Sequence, residues 1–219
     1  MKNRQLFNRW LIYVCGMLIQ GLGLYFNARC GLGTSALLGV AYVGSLAYGM
    51  SFGDASKIVF AIYIAAQFLV RGKKHRQWRD LLQLPVALLI GEIFNTLDLI
   101  IPPELLRSTV LVQFLVLVCA VVFNGIGATL AVNMRLIPSP GDGIVQALAD
   151  RFHMELGKMK RIMDCTMVAL AVVMSFVIFG RLEGVGIGTV AAMFGVGKIV
   201  TFCNGLFGEK IRAAAGMER

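Results

Sequence analysis

The sequence predicts an all-α integral membrane protein. Six transmembrane helices are expected to form two inverted three-helix repeats, and each repeat carries a short re-entrant or interfacial helix. Three observations predict this fold: the composition, six apolar runs of spanning length, and an internal repeat. Of the 219 residues 58% are hydrophobic and 15% charged, and the mean hydropathy is +0.76. Soluble domains carry a more charged surface, so the chain is expected in lipid.

Six runs reach about the 20 apolar residues needed to cross the hydrocarbon layer. The spans are predicted, in chain order, at about 10–27, 56–70, 82–101, 108–133, 162–180 and 186–207. The first run follows a basic flank that resembles a signal peptide. It lacks a convincing cleavage site of small residues, so it is interpreted as a retained span.

Two further segments, 31–50 and 138–157, are ambiguous, and the bias of Lys and Arg toward the cytoplasm decides between topologies. Lys198 lies within a predicted span, which leaves 20 of the 21 basic residues. If neither segment crosses and the N-terminus is cytoplasmic, 16 of these lie inside and four outside. If 31–50 alone crosses, the split is 6 inside and 14 outside; if both cross, it is 12 and 8.

Six spans with both termini in the cytoplasm therefore fit the charge bias best. The net charge of +9 is then an orientation signal, and no nucleic-acid partner is expected. The four outside residues are Arg29, Lys57, Arg107 and Arg181, and the inside residues include Arg71, Lys73, Lys74, Arg76, Arg79, Lys210, Arg212 and Arg219.

An internal repeat divides the chain into halves, 1–107 and 108–219. The run "GLGLYFNARCGLGTS" aligns with "GIGATLAVNMRLIPS" at an offset of 104 residues, and "GDASKI" aligns with "GKMKRI" at the same offset. At an offset of 106, "GEI" aligns with "GKI". Because each half has three spans, the second half is expected upside down relative to the first. This plan is typical of secondary transporters and of some channels.

The two non-crossing segments begin with residues that suit helix starts. Ser35 and Ser139 are preferred N-cap residues, and Pro140 suits the first helical turn. A helix that begins within the membrane presents free N–H groups that can hold an anionic group. Both segments are expected either to re-enter the membrane or to lie flat on its surface as amphipathic helices, and the sequence leaves both alternatives open.

The stretches "ARCGLGTSALLGVAYVGSLAYGMSFG", "LIPSPGDGIVQALADRFHMELGKMKRI" and "GVGIGTVAAMFGVGKIV" resemble the YczE/YyaS/YitT-type family of bacterial integral membrane proteins. The resemblance implies a multi-pass protein of the bacterial plasma membrane with suspected transport activity and no specific cargo. Members of that family often carry an aspartate after the S-P-type element of each half. Asp142 fits this place, whereas the first half has Leu38.

Polar residues interrupt the apolar run "LLIGEIFNTLDLII". A charge at bilayer depth costs roughly 2.5–3.5 kcal/mol and usually faces the bundle interior or a cavity. The prediction is that Glu92 pairs with Lys198 across a pseudo-twofold axis, either as a structural ion pair or as the lining of a solute pathway. The residues spaced by three along this helix face are Glu92, Asn95 and Asp98, and their counterparts are Lys198, Thr201 and Asn204.

Other polar residues carry weaker predictions. Asn27 is a candidate for further lining, as are Gln20, Asn124 and Asn133, although each also suits an interhelical hydrogen bond. The five cysteines and two histidines show no metal-ligand spacing, so neither a metal site nor a cofactor is expected. No nucleophile–base set or phosphate loop is present, so an enzyme is not expected.

The leading functional hypothesis is a small secondary transporter that moves a small organic solute by alternating access between inverted halves. Lys198 and the helix starts at Ser35 and Ser139 favour an anionic group on that solute, and Glu92 is a candidate for proton coupling. Alternatives are a channel with two half-helices, the substrate-binding subunit of a vitamin importer, and a non-transporting membrane scaffold. The expected partners are the lipid bilayer and the solute, and a homo-oligomer is left open.

Overall fold

The computed structural model describes residues 2–75 and 78–216, so the predicted cytoplasmic positions Arg76 and Arg219 lie outside the described residues. Every regular element in the described ranges is helical. The elements are α1 (Lys2–Arg29), η1 (Ala36–Leu38), α2 (Gly39–Tyr48), α3 (Phe52–His75), η2 (Trp78–Leu82), α4 (Gln83–Ile100), α5 (Pro103–Leu106), α6 (Val110–Asn133), α7 (Pro140–Phe152), α8 (Leu156–Phe179) and α9 (Ile187–Ala214).

Six of these helices, α1, α3, α4, α6, α8 and α9, are long and apolar enough to cross a membrane. They coincide with the six predicted spans and indicate a multi-pass membrane protein. Several helices are longer than predicted: α1 begins at Lys2, α8 at Leu156, and α9 continues to Ala214. Hydropathy marks only the apolar part of a helix, whereas the helical hydrogen bonds continue into polar residues at its ends.

The segments 31–50 and 138–157 each hold one short helix. Residues 36–48 and 140–152 are both 13 residues long and correspond position by position at the 104-residue offset. At 1.5 Å per residue such a helix is about 20 Å long, too short for a hydrocarbon layer of about 30 Å. Each ends at a residue with left-handed backbone, Gly49 (φ 62°) in the first half and His153 (φ 52°) in the second.

The long helices fall into two packed groups. In the first, the crossing group, α1 packs against α6, with α4 beside α1 and α9 beside α6. In the second, the short-helix group, α3 packs against α2 and α7, and α8 packs against α2, α7 and η1. The main contact between the groups is α3 on α4, called here the first seam. The corresponding pair in the second half is α8 and α9, called the second seam.

Two glycines let α1 and α6 cross closely. A methyl group at Gly23 would overlap the backbone nitrogen of Asn124, and a methyl group at Gly127 would overlap the backbone nitrogen of Gln20. Gly23 corresponds to Gly127, and Gln20 to Asn124, at the 104-residue offset. The crossing therefore consists of the same contact made twice, once in each direction.

Candidate functional site

A network of four polar side chains closes the first seam. Lys57 on α3 donates to Glu92 on α4, and it also donates to Asp54 at 2.8 Å. The amide of Asn95 on α4 donates to the same Asp54 oxygen at 3.1 Å. Residues spaced by three share one helix face, so Asp54 and Lys57 meet Glu92 and Asn95 across the seam. Acid, base, acid and amide are thus joined in one network.

Two glycines beneath this network allow the backbones to touch. A methyl group at Gly53 would overlap the Asn95 side chain and the Gly91 carbonyl. A methyl group at Gly91 would overlap the aliphatic stem of Lys57 and lie 2.9 Å from the Gly53 carbonyl. Small residues at helix interfaces permit such close approach in membranes. The first seam is therefore closed by backbone contact as well as by charge pairing.

The predicted pair of Glu92 and Lys198 is wrong in this structure. The cation beside Glu92 is Lys57, and Lys198 is exposed on α9 with no ion pair among the described residues. The physical reason is the order of the helices: α4 packs on α3 and α1, whereas α9 packs on α6. Lys57 was counted among the outside residues although the predicted span 56–70 includes it, and in the structure α3 already begins at Phe52. Its spacing of three from Asp54 was the sequence feature that pointed to the network.

The second seam is open, although it carries the same glycines. Gly157 and Gly197 correspond to Gly53 and Gly91. A methyl group at Gly197 would meet no atom within 4 Å, and one at Gly157 would meet only Glu155, at 3.8 Å. Helices α8 and α9 do not form a packed pair. The glycine pair that brings two backbones together in the first half is thus unused in the second.

Among the described residues, the polar side chains of the second seam also have no partners on the opposite helix. The hydroxyl of Thr201 donates back to the Gly197 carbonyl of its own helix, at 3.0 Å. The counterparts of Asp54, Lys57, Glu92 and Asn95 are, in order, Lys158, Arg161, Lys198 and Thr201, and all four are exposed.

Other contacts persist in both halves. The Arg29 guanidinium on α1 donates to both oxygens of Asp98 on α4, at 2.9 and 2.5 Å. Their counterparts on α6 and α9 are Asn133 and Asn204, and the Asn133 amide donates to Asn204 at 2.6 Å. The Arg29–Asp98 contact and its counterpart place α4 on α1 and α9 on α6 in the same manner.

The short helix α7 has a capped start. The Ser139 hydroxyl accepts from the Asp142 N–H at 3.2 Å and donates to the Asp142 carboxylate at 2.8 Å. That carboxylate also lies 3.6 Å from the Lys160 ammonium. The side chains of Ser139 and Asp142 therefore occupy the electropositive helix start.

The matching start at η1 has no such cap. Ser35 has the same extended backbone as Ser139, but within the described part of the chain its hydroxyl has no hydrogen-bond partner. Thr34 and Asn27 are 1% and 2% exposed, and their side-chain oxygens also lack partners among the described residues. The Asn27 amide donates to the Gly188 carbonyl at 3.5 Å. The first half thus keeps unpaired polar atoms where the second half has Ser139 and Asp142.

The two short helices contact each other at their starts. A methyl group at Gly141 would lie 2.8 Å from the Leu37 side chain. The Tyr63 hydroxyl donates to the Leu37 carbonyl at 2.6 Å and lies 3.3 Å from the Met167 sulfur. Leu37 and Gly141 are counterparts at the 104-residue offset, and so are Tyr63 and Met167. The Leu37–Gly141 contact and the Tyr63–Met167 contact therefore each join a residue to its own equivalent. Tyr63 was not predictable as a contact residue from the sequence, because it is not part of any pattern of polar residues.

Within residues 2–75 and 78–216, no three His, Cys, Asp or Glu side chains lie close enough together to hold a metal ion. The groups that could bind a ligand are the charged and amide side chains at the seams and the starts of the short helices. They suit recognition of a polar or charged solute.

The chain belongs to DUF6198, a family of unknown function, whose model matches residues 7–205. No curated protein and no solved structure matches the chain. The family match makes no link to the YczE/YyaS/YitT-type family, so that resemblance stays a prediction.

Proposed function

We propose that this protein is a small secondary transporter, which moves a small organic solute by alternating access between two inverted halves. The observation that carries the proposal is the unequal use of two equivalent glycine pairs. Gly53 and Gly91 bring α3 and α4 into backbone contact, whereas Gly157 and Gly197 face open space. A second state, in which the α8–α9 seam closes and the α3–α4 seam opens, gives the second glycine pair the same role.

Reciprocal contacts support the inverted arrangement. In a twofold interface, residue i contacts residue j and the equivalent of j contacts the equivalent of i. Gly23 and Gly127 at the α1–α6 crossing follow this rule, and so do Gly143 against Gln67 and Gly39 against Ala171. The contacts within the crossing group and within the short-helix group are thus repeated, and the seams between the groups differ. A rocking motion of one group against the other exchanges the seams.

The charge bias assigns a side to each seam. The first seam lies near the start of α3, which follows a predicted outer connection. The second lies near the start of α8, which follows the predicted cytoplasmic segment 138–157. With both termini cytoplasmic, the protein in this state is closed toward the outside and open toward the cytoplasm.

The short helices are proposed to re-enter the membrane from opposite sides. Their starts meet where Leu37 contacts Gly141, and α7 is buried there at Pro140, Gly141 and Gly143. A flat surface helix buries one face along its whole length, and two such helices on opposite surfaces do not meet. In this proposal the uncapped start near Ser35 faces the solute.

The unequal seams favour a transporter over a channel. A conducting channel needs a path open at both ends at once, whereas the α3–α4 seam is closed by glycine contact and by the Lys57 network. Neither the substrate-binding subunit of a vitamin importer nor a membrane scaffold requires two equivalent seams that open and close in turn.

Two matched pairs of spin labels test the exchange. One pair is Ala61→Cys with Leu88→Cys across the first seam; the other is native Cys165 with Phe194→Cys across the second. These four positions are exposed, and the pairs correspond at the repeat offsets. Distances are measured in bilayers with the remaining native cysteines replaced. A control pair, Val14→Cys with Val132→Cys on α1 and α6, is expected to stay constant.

We expect each seam pair to populate a short and a long distance, with opposite shifts when a transported solute is added. Uptake of a panel of organic acids into proteoliposomes, with and without a pH gradient, identifies that solute. Two fixed distances under every condition would overturn the transporter, and two long distances together with non-saturating flux would identify a channel.

A further inference from the structure

The charges at the two seams are different, although the glycines beneath them are the same. Across the first seam an acid and a base alternate, since Lys57 lies between Asp54 and Glu92. Across the second, the matched positions hold three cations and a hydroxyl: Lys158, Arg161, Lys198 and Thr201. One carboxylate lies close to this seam, since an oxygen of Glu155, just before α8, would lie 3.8 Å from a methyl group at Gly157. The second seam thus has one nearby acid for three cations, whereas the first has two acids for one cation.

Carboxylates elsewhere on α8 and α9 do not fill this gap. Asp164 is buried near Lys160 and Asp142 rather than at the seam. Glu209 lies eleven residues beyond Lys198, about 16 Å along α9 at 1.5 Å per residue. Closing the seam would thus bring Lys158 and Arg161 toward Lys198, with only the Glu155 carboxylate nearby to offset one of the three positive charges. The remaining like charges oppose such an approach.

We propose that the second seam closes around an anion with two or more negative charges, held by Lys158, Arg161 and Lys198. This inference rests on the proposed function and gives the class of its solute: a small polyvalent anion, such as a dicarboxylate or a phosphate-bearing compound. The bound anion takes the place that Asp54 and Glu92 fill beside Lys57 in the first seam. The Arg161 guanidinium suits such groups because it binds carboxylate or phosphate oxygens in pairs.

The number of cations sets the required charge. With Glu155 offsetting one cation, a monovalent anion would leave one uncompensated positive charge in the closed seam. A divalent or trivalent anion brings the cluster close to neutrality, which lowers the cost of burying it. The Thr201 hydroxyl supplies a further donor once its helical bond to Gly197 is exchanged.

The first experiment measures seam closure with defined anions. Label distances for Cys165 with Phe194→Cys are recorded in phosphatidylcholine bilayers with inorganic phosphate, succinate or chloride at equal ionic strength. At a concentration about ten times the Kd for the closed seam, phosphate or succinate should raise the closed-to-open ratio about tenfold. Chloride should leave it unchanged. Arg161→Gln and Lys198→Met should abolish the response, and the control Arg151→Gln, exposed near the end of α7, should retain it.

A charge reversal gives a second, independent test. Lys198→Glu places a carboxylate opposite Arg161, as Glu92 stands opposite Lys57 in the first seam. We expect the second seam of this variant to close without any polyvalent anion and to show no further response to one. Unchanged distances between Val14→Cys and Val132→Cys, with unchanged helix content, establish that the variant is folded. A folded variant whose seam stays open would overturn the proposal.

A lipid phosphate is the competing source of negative charge. The same distances are therefore measured in bilayers that contain phosphatidylglycerol but no free phosphate or succinate. Closure under that condition would overturn the assignment to a solute. Seams that exchange without any response to polyvalent anions would also overturn it while leaving the transporter in place, whereas seams that never exchange contradict the transporter itself.

Discussion

Arg29 and Asp98 form a two-bonded ion pair between α1 and α4, and the equivalent positions in the second half hold a neutral pair, Asn133 with Asn204. Equivalent helix contacts are therefore made by an ion pair in the first half and by an amide–amide hydrogen bond in the second. The Arg29 guanidinium also lies 5.5 Å from the centre of the Phe52 ring, where a cation is attracted to the aromatic face. The neutral pair offers a natural replacement for the charged one.

Asp98→Asn alone is expected to be harmful, because it leaves the Arg29 charge without its partner. A fully buried pair loses about 3–5 kcal/mol in this way. The side chains here are 15% and 22% exposed, so a loss of about 2–3 kcal/mol in unfolding free energy is expected. The double variant Arg29→Asn, Asp98→Asn should recover most of it, as measured by denaturant titration in micelles. A double variant less stable than Asp98→Asn would contradict this account.

The two N-cap serines are expected to differ. Ser139→Ala removes a cap and its bond to Asp142, and it should cost about 1 kcal/mol of unfolding free energy. Ser35→Ala removes a hydroxyl with no hydrogen-bond partner, so stability should change by less than about 0.5 kcal/mol. Solute uptake distinguishes its role: a stable Ser35→Ala variant with impaired uptake supports a solute contact. Equal losses of unfolding free energy in Ser35→Ala and Ser139→Ala would contradict this expected difference between the two serines.

The seam glycines should respond to alanine in opposite ways. Gly91→Ala places a methyl group against Lys57, so the first seam should be forced open and the Ala61→Cys, Leu88→Cys distance should lengthen. Gly197→Ala meets no atom in this state, and alanine favours a helix by up to about 1 kcal/mol, so stability should hold or rise. Uptake by Gly197→Ala should nevertheless fall, because the second seam can no longer close. Normal uptake by this variant would argue against closure.

A double-mutant cycle tests the charge network. Lys57→Met and Glu92→Gln should be coupled by about 0.5–1.5 kcal/mol, since the two side chains pair directly. The matched control is Lys198→Met with Glu92→Gln, whose effects on unfolding free energy should simply add. Coupling in the control with none in the Lys57 cycle would restore the pairing predicted from the sequence.

Cysteine labelling in intact cells tests the orientation. With both termini cytoplasmic, an impermeant maleimide should label Pro103→Cys between α4 and α6 from outside. Glu155→Cys, just before α8, should react only after the membrane is permeabilised. The inverse pattern would reverse the side assigned to each seam.

The spans were predictable from the sequence, because hydropathy is a property of each segment alone. The 104-residue offset found in the sequence also matches the helix at 36–48 to the helix at 140–152. The partner of Glu92 was not predictable in this way, because helix periodicity gives the face of a residue but not the neighbouring helix. The unequal seams were out of reach for a further reason. Gly53 and Gly157 occupy equivalent places in the sequence, and their different surroundings depend on how the helices pack.

The central crossing of α1 and α6 also governs how the protein is made. About 80 residues separate the end of α1 from the start of α6. At synthesis rates of about 5–20 residues per second, α1 waits roughly 4–16 s for the helix that fits its Gly23 and Gln20 surface. During that time the first helix can pack against α4 and the short α5, so assembly of the α1–α6 crossing starts when the ribosome is already translating the second half.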